Sequence, residues 1–423
     1  MSIRLYDKLA SAGFLFLLAA MLSISFPRSW SLWPLGFFLG VGFVYWIKDL
    51  RSSFDHLKSN LWIVLPPIAY FTIHVLNILI QGGSVLMLVD RLMFLLVPIF
   101  GLPLFVKLTG KDDVLIFRTF IAGIVLVMII LIVRIVIFVY NLVPEGSTFL
   151  KYSLSNNNWF FTSNISVFEH PSYYSMKIMW VLMIFILFHN ELNISARTAV
   201  MLSVILSVFV FLLASRASII FWILTVIFFL IRLWRKKVLN PILLILIILP
   251  ILILAGIAAN KITRVNELVN NLNDKIQKEN FEWRNIDQRT REWYTAIEII
   301  KEKPLTGIGY VKIKDKLREE YLKNGFDKEA VMPMNAHNQF LEAQMTFGIA
   351  GTLSLLWMLL TPLFFRKQLK YPHLAVAFVL LISFFLMFES MFNRQWGIMF
   401  FILFYFILST GTMRKGDDVN NVR

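Results

Sequence analysis

The feature that most constrains this chain is a recurrence of apolar runs about 18–25 residues long, the length a helix needs to cross the hydrocarbon core of a bilayer. Twelve such runs can be marked, at 9–26, 30–47, 61–80, 85–106, 114–140, 171–188, 198–215, 217–233, 240–259, 338–365, 373–389 and 395–411. The composition agrees. Of 423 residues 58% are hydrophobic and only 16% charged, and 40 Phe with 12 Trp are hard to bury in a soluble protein of this size. The predicted fold class is all-α, a polytopic membrane protein of about 12 transmembrane helices. A soluble enzyme, a DNA-binding domain and a disordered scaffold are excluded as descriptions of the whole chain. The first run lacks a small-residue cleavage pattern and is followed by further spans, so it reads as a membrane helix rather than a secretory signal.

The net charge of +15 does not point to nucleic acid, because a membrane protein with its cations on one side is basic for topological reasons. With the N-terminus in the cytoplasm, the inside segments hold 18 Lys and Arg. The short outside segments hold four: Arg28, Lys151, Arg216 and Arg394. That bias sets orientation, so both termini are expected in the cytoplasm. The domain reading is 1–259 for spans one to nine, 260–337 for a helical external loop subdomain, 338–411 for spans ten to twelve, and 412–423 for a cytoplasmic tail. The loop is nearly balanced, with 15 Lys and Arg against 13 Asp and Glu. The absence of Cys excludes disulfides, thiolate metal sites and a Cys nucleophile.

Charges inside spans are costly and usually functional. In the predicted topology they gather toward the outer half of the bundle. Asp90 and Arg91 lie in the outer third of the fourth span, Arg134 near the outer end of the fifth, and Lys177 two turns into the sixth. Arg216 caps the seventh, and Glu389 and Arg394 flank the last outer turn. Only Arg118 lies toward the inside. Any one of these is as readily a snorkelling or ion-paired side chain. Together they suit an outward-facing anionic site, and Arg favours phosphate because its planar fork binds oxyanions bidentately.

The loop segment from Asp287 to Lys301 predicts a helix with Asp287 as N-cap. Trp293, Ala296, Ile297 and Ile300 are spaced to form its apolar face. Arg289 and Arg291 fall in its first turn, where free backbone N–H groups favour anions. Pro304 and Gly307 end it and begin a turn, Pro304-Leu-Thr-Gly-Ile-Gly309. His337 and Asn338 stand where the chain re-enters the membrane. A neutral imidazole there can take a proton from a hydroxyl near neutral pH. His170, before Pro171, is the other outside His and suits a structural corner. The sequence contains no zinc-ligand spacing, Asp-x-Asp pair on the outside, Walker A loop or Gly-x-Ser-x-Gly elbow. No metal and no cofactor are expected.

These residues, in this order, resemble the O-antigen ligase/O-antigen polymerase family of bacterial membrane glycosyltransferases. The resemblance rests on twelve spans with a large external loop after the ninth, and on three motif sets. These are Arg289-Thr-Arg-Glu-Trp293 running into Pro304–Gly309, His337-Asn-Gln-Phe-Leu341 leading to Phe347-Gly-Ile-Ala-Gly351, and Ala214-Ser-Arg-Ala217. It covers roughly 160–355 in detail. It implies a bacterial inner-membrane enzyme whose donor is an undecaprenyl-pyrophosphate-linked glycan and whose acceptor is a lipid A–core sugar or another glycan. It implies catalytic roles for Arg216, Arg289 and His337, the first two on the pyrophosphate and the third on the acceptor hydroxyl. Arg291, Lys177, Arg91, Arg134, His170, Asn338 and Arg394 are candidate substrate-binding residues. Transfer would be inverting and metal-independent. The expected activity is that of a ligase, with a polymerase using the same donor as the alternative. A flippase for the same lipid-linked glycan is the rival of another class; it would want cations reaching inward and paired repeats, and neither appears.

Overall fold

A computed structural model describes residues 2–155, 157–235, 237 and 287–410. Among them every regular element is a helix. The predicted ninth span (240–259), the first part of the loop subdomain (260–286) and the tail (412–423) lie outside the described residues.

Apolar helices occupy the other eleven predicted positions: α1 Ser2–Ser23, α2 Arg28–Lys48, α4 Leu61–Ile80, α5 Met93–Phe105, α6 Gly110–Tyr140, α7 Pro171–Phe188, α8 Ala196–Leu213, α9 Arg216–Arg235, α12 Gln339–Phe364, α13 Pro372–Leu386 and α14 Gln395–Ser409. The short amphipathic α3, Leu50–Ser59, joins α2 to α4. Helices α10 (Gln288–Glu302) and α11 (Ile313–Lys323) belong to the loop subdomain. Among the described residues seven of the apolar helices, or eight if the bent pair at 85–105 is one span, are long and apolar enough to cross a membrane, so length alone does not establish the expected twelve.

Two departures have physical causes. The fourth predicted span is broken: a 3₁₀ segment, Val85–Arg91, meets α5 at 62°. Charged Asp90 and Arg91 sit at the end of the first piece. Pro98 lies in a π-helical turn of the second, where missing N–H groups loosen the helix. Helices α13 and α14, at 15 residues each, span only about 22 Å at 1.5 Å per residue, short of a bilayer core near 30 Å. Every residue of α14 but Trp396 is buried. It forms the axis of the bundle and meets protein rather than lipid.

The core is aromatic. Trp180 of α7 packs edge-on to Phe378 of α13 and Phe404 of α14, and Phe120 of α6 packs on Phe404. Helix α6 instead turns Leu126, Ile129, Val133 and Ile137 outward, as expected of a helix apolar on all sides at a lipid boundary. The α8–α9 junction falls at the predicted Ser215–Arg216 step. Ala214 there adopts a left-handed φ of +49°, which ends α8.

Candidate functional site

At one end of the bundle the loop subdomain meets the ends of α4, α12, α13 and α14. Its described part has its own small core, in which Ala296 and Ile299 of α10 pack with Ile313, Leu317 and Tyr321. The buried stripe of α10 is Glu292, Thr295, Ala296 and Ile299. It is rotated from the predicted Trp293–Ala296–Ile297–Ile300 face, and Ile297 is 43% exposed. The cause is tertiary: the helix lies on α12 and turns Trp293 onto Phe388 at the end of α13.

The Pro304–Gly309 turn is a docking device. The backbone N–H of Ile308 donates to the carbonyl of Met345, Gly309 N–H to Thr346, and Ile349 N–H to Leu305, the first two at 2.9 Å and the last at 3.1 Å. These bonds are possible because α12 is interrupted at Gly348, with φ +63° and ψ −152°. A Cβ on Gly307 would stand 2.4 Å from the Thr346 carbonyl oxygen. The turn is then fastened to α4: Gln81 Nε2 donates to the Ile308 carbonyl, and Tyr310 N–H donates to Asn77 Oδ1. The glycines therefore serve close backbone approach rather than phosphate binding.

This docking closes a cleft of about 750 Å³ whose lining includes His170, Tyr310, Lys314, His337, Glu389 and Arg394. His337 is held at a left-handed φ of +43°, with its N–H donated to Asn335 Oδ1. Such backbone strain persists only where the surroundings impose it. Its Nδ1 lies 3.3 Å from Glu389 Oε2, and the other carboxylate oxygen accepts from Arg289 at 2.9 Å. Glu389 thus bridges two residues from the two ends of the loop subdomain. Its side chain is 5% exposed, while Arg289 is 33% and His337 22% exposed.

The electrostatics of the three are coupled. Burial disfavours the imidazolium of His337. The hydrogen bond to Glu389, with the negative charge of Glu292 and Glu389, outweighs burial and raises its pKa above 6.5. Burial alone would raise Glu389, but His337 and Arg289 hold it below the ordinary 4.5. Burial pushes the Glu292 carboxyl upward, against the pull of His337 and of the Gln288 amide. With Nδ1–H given to Glu389, the ring nitrogen left to accept a proton is Nε2.

Behind His337 runs a buried polar network. Arg91 is 2% exposed. It donates to Tyr310 Oη at 2.9 Å and Asn393 Oδ1 at 2.7 Å, with its guanidinium 4.6 Å from the Tyr310 ring centroid. Asn393 bonds Glu342, which accepts the N–H of Ala336, the residue before His337, at 3.2 Å. The bent segment, the loop turn and the α13–α14 turn are tied together at this point.

The other predicted residues fall in different places. Arg291 does not join Glu389; it donates twice to Glu329 within the subdomain. Arg216 starts α9, half-buried, and does not line the cleft. Its neighbours Ser215 and Ser218 bond Ser172 and Ser175 in the first turn of α7. His170 is the N-cap of that helix and is exposed at the cleft. Asn338 caps α12, accepting from Phe340 and Leu341 N–H groups. Lys177 is withdrawn from the cleft: fully buried, it donates to both oxygens of Glu169 at 2.8 Å and to the Ile24 carbonyl at 2.7 Å. Arg134 turns to the Asn164 carbonyl, away from the cleft. Asp90 pairs with Arg28 rather than with its neighbour Arg91. Arg394 is exposed at the cleft, and no described residue takes its guanidinium.

Sequence reasoning passed over Glu389 as a flanking charge and did not single out Glu292, Glu342, Asn393 or Tyr310. The available signal for Glu389 was a lone carboxylate closing an apolar run, next to a cation on the same turn.

An all-helical membrane bundle with a helical subdomain docked over one end, and a His–carboxylate–Arg chain between them, defines an integral membrane protein with a polar site at the end the subdomain covers. Residues 201–356 match the family model described as O-Antigen ligase, so this part of the chain is similar to that family. The matched stretch spans Arg216, Arg289 and His337. No curated protein matches the chain.

Proposed function

We propose that the protein is an O-antigen ligase-type glycosyltransferase of the bacterial inner membrane. It moves a glycan from undecaprenyl pyrophosphate to a sugar hydroxyl of lipid A–core on the periplasmic face, inverting the anomeric centre. The observation that carries this reading is the His337–Glu389–Arg289 chain at the mouth of the cleft, inside the membrane bundle end. Glu389 accepts Nδ1–H of His337, so Nε2 removes the proton of the acceptor hydroxyl as its oxygen attacks the anomeric carbon. The bond from that carbon to the pyrophosphate breaks on the opposite face. The leaving anion needs no general acid, and Arg289, held beside the cleft on Glu389, offsets its developing charge. Arg394, and His170 beside it at the cleft, are available to the sugar or phosphate. The reaction is metal-independent because the leaving group is already a stabilised anion and cations supply the remaining charge.

The test is product analysis with the purified full chain in nanodiscs, given undecaprenyl-pyrophosphate glycan with and without lipid A–core. A single-step shift of lipid A–core, reduced about 10²–10⁴-fold in His337→Ala, is the expected result. A ladder of lengthened lipid-linked glycan formed without lipid A–core would make the protein a polymerase. Donor binding with no product from either acceptor would overturn the transferase reading and favour transport.

A further inference from the structure

The end of the bundle opposite the cleft carries a second cavity, of about 800 Å³, between the start of α6 and the turn joining α7 to α8. Its walls are apolar where Val114 and Phe188 stand, and cationic at Lys111 and Arg118. The two cations are seven residues apart on α6, two turns along one helix face. Arg118 lies eight residues into the helix, about 12 Å from its start, in a stretch made mostly of Val, Leu, Ile and Phe. Both side chains are exposed.

Arg118 is not a wandering surface side chain. Its Nε and Nη2 both donate to the Leu192 carbonyl, at 3.0 and 2.6 Å. This fixes the guanidinium against the α7–α8 turn, and its Nη1 takes no described partner. Lys111 takes none either. The nearby acids are mostly engaged: Asp112 closes the capping box with Thr109, and Asp113 is paired with Lys370 at 2.7 Å. Glu191 is the one carboxylate on the cavity wall, so the lining remains net positive.

From this geometry we infer that the cavity binds the phosphodiester headgroup of an acidic phospholipid. A fixed cation at hydrocarbon depth, a second at the rim and an apolar wall between them match an amphiphile with one anionic group and acyl chains. They match a soluble phosphate poorly, because Val114 and Phe188 would then face it without gain. The charge bias puts this end in the cytoplasmic leaflet, where acidic lipids attract basic segments. Such a lipid would brace the α6–α7–α8 junction from the side remote from the transfer site.

Native mass spectrometry of the full chain, released from micelles doped with phosphatidylglycerol or phosphatidylcholine, reads this out as bound lipid. Wild type should retain phosphatidylglycerol in preference. Lys111→Ala or Arg118→Gln should each lower that retention about 5-fold, and the double substitution about 30-fold. Glu191→Gln should raise it, a gain that general loss of folding cannot produce. Unchanged selectivity in the double variant would overturn the inference. So would displacement of the lipid by millimolar glycerol 3-phosphate, which would make the ligand a soluble phosphate.

Discussion

At the residue scale the central group is Glu389. Its two oxygens hold His337 and Arg289, which makes it a positioning residue in the proposed reaction. The pH behaviour follows with a definite sign. A base must be neutral to accept a proton, and the carboxylates facing His337 raise its pKa above 6.5. Activity should therefore rise with pH through a midpoint above 6.5. Glu389→Gln removes a negative charge while keeping an acceptor, so it should lower turnover and move that midpoint to lower pH; a profile unmoved by the substitution would remove Glu389 from the site. Arg289 and Arg291 separate in the same way. Arg289→Ala should lower kcat about 10²–10³-fold, as loss of one charge-stabilising donor does. Arg291→Ala should leave the pH midpoint in place but destabilise the loop subdomain by about 1.5–3 kcal/mol, because Glu329 loses its charged donor. Thermal unfolding and steady-state kinetics on the two variants would distinguish these roles, and equal kinetic losses would contradict the assignment.

At the scale of elements the fit of the loop turn to the break in α12 decides whether the cleft exists. Gly307 and Gly348 both have positive φ, and each sits where a Cβ would meet the backbone of the other segment. Gly307→Ala should weaken docking by about 1–3 kcal/mol from backbone strain alone. Hydrogen exchange at Ile308 and Gly309 would report it, since both N–H groups donate across the junction; unchanged protection would mean the turn is held elsewhere. The helix of the loop, its Asp287 cap and its end near Pro304 were legible in the sequence, because capping and helix termination are local. Its buried face was not. Periodicity gives the angular width of an apolar stripe, but α12 and Phe388 set which side of α10 is covered, and they buried Glu292 in place of Ile297.

At the scale of the whole molecule the orientation expected from the charge bias is open to a direct test. The chain has no Cys, so single cysteines report without background. Lys328→Cys, exposed on the loop subdomain, should react with a membrane-impermeant maleimide on intact spheroplasts. Lys367→Cys, exposed at the opposite end of the bundle, should react only after permeabilisation. The reverse pattern would turn the protein over and place the cleft in the cytoplasm.

The sequence by itself determined the all-helical membrane class, the positions of eleven apolar helices, the loop helix with its cap, and the family resemblance now supported over 201–356. These depend on hydropathy, spacing and short motifs, which are properties of neighbours along the chain. Tertiary structure decided the rest. It bent the fourth predicted span by 62° and made α14 the bundle axis. It buried Lys177 on Glu169 and sent Arg291 to Glu329. It brought Glu389 to residues 100 and 52 positions away. A side chain's depth can be read from its place in a span. Its partner is chosen by how helices pack, because a buried charge takes whichever neighbour can complete its hydrogen bonds.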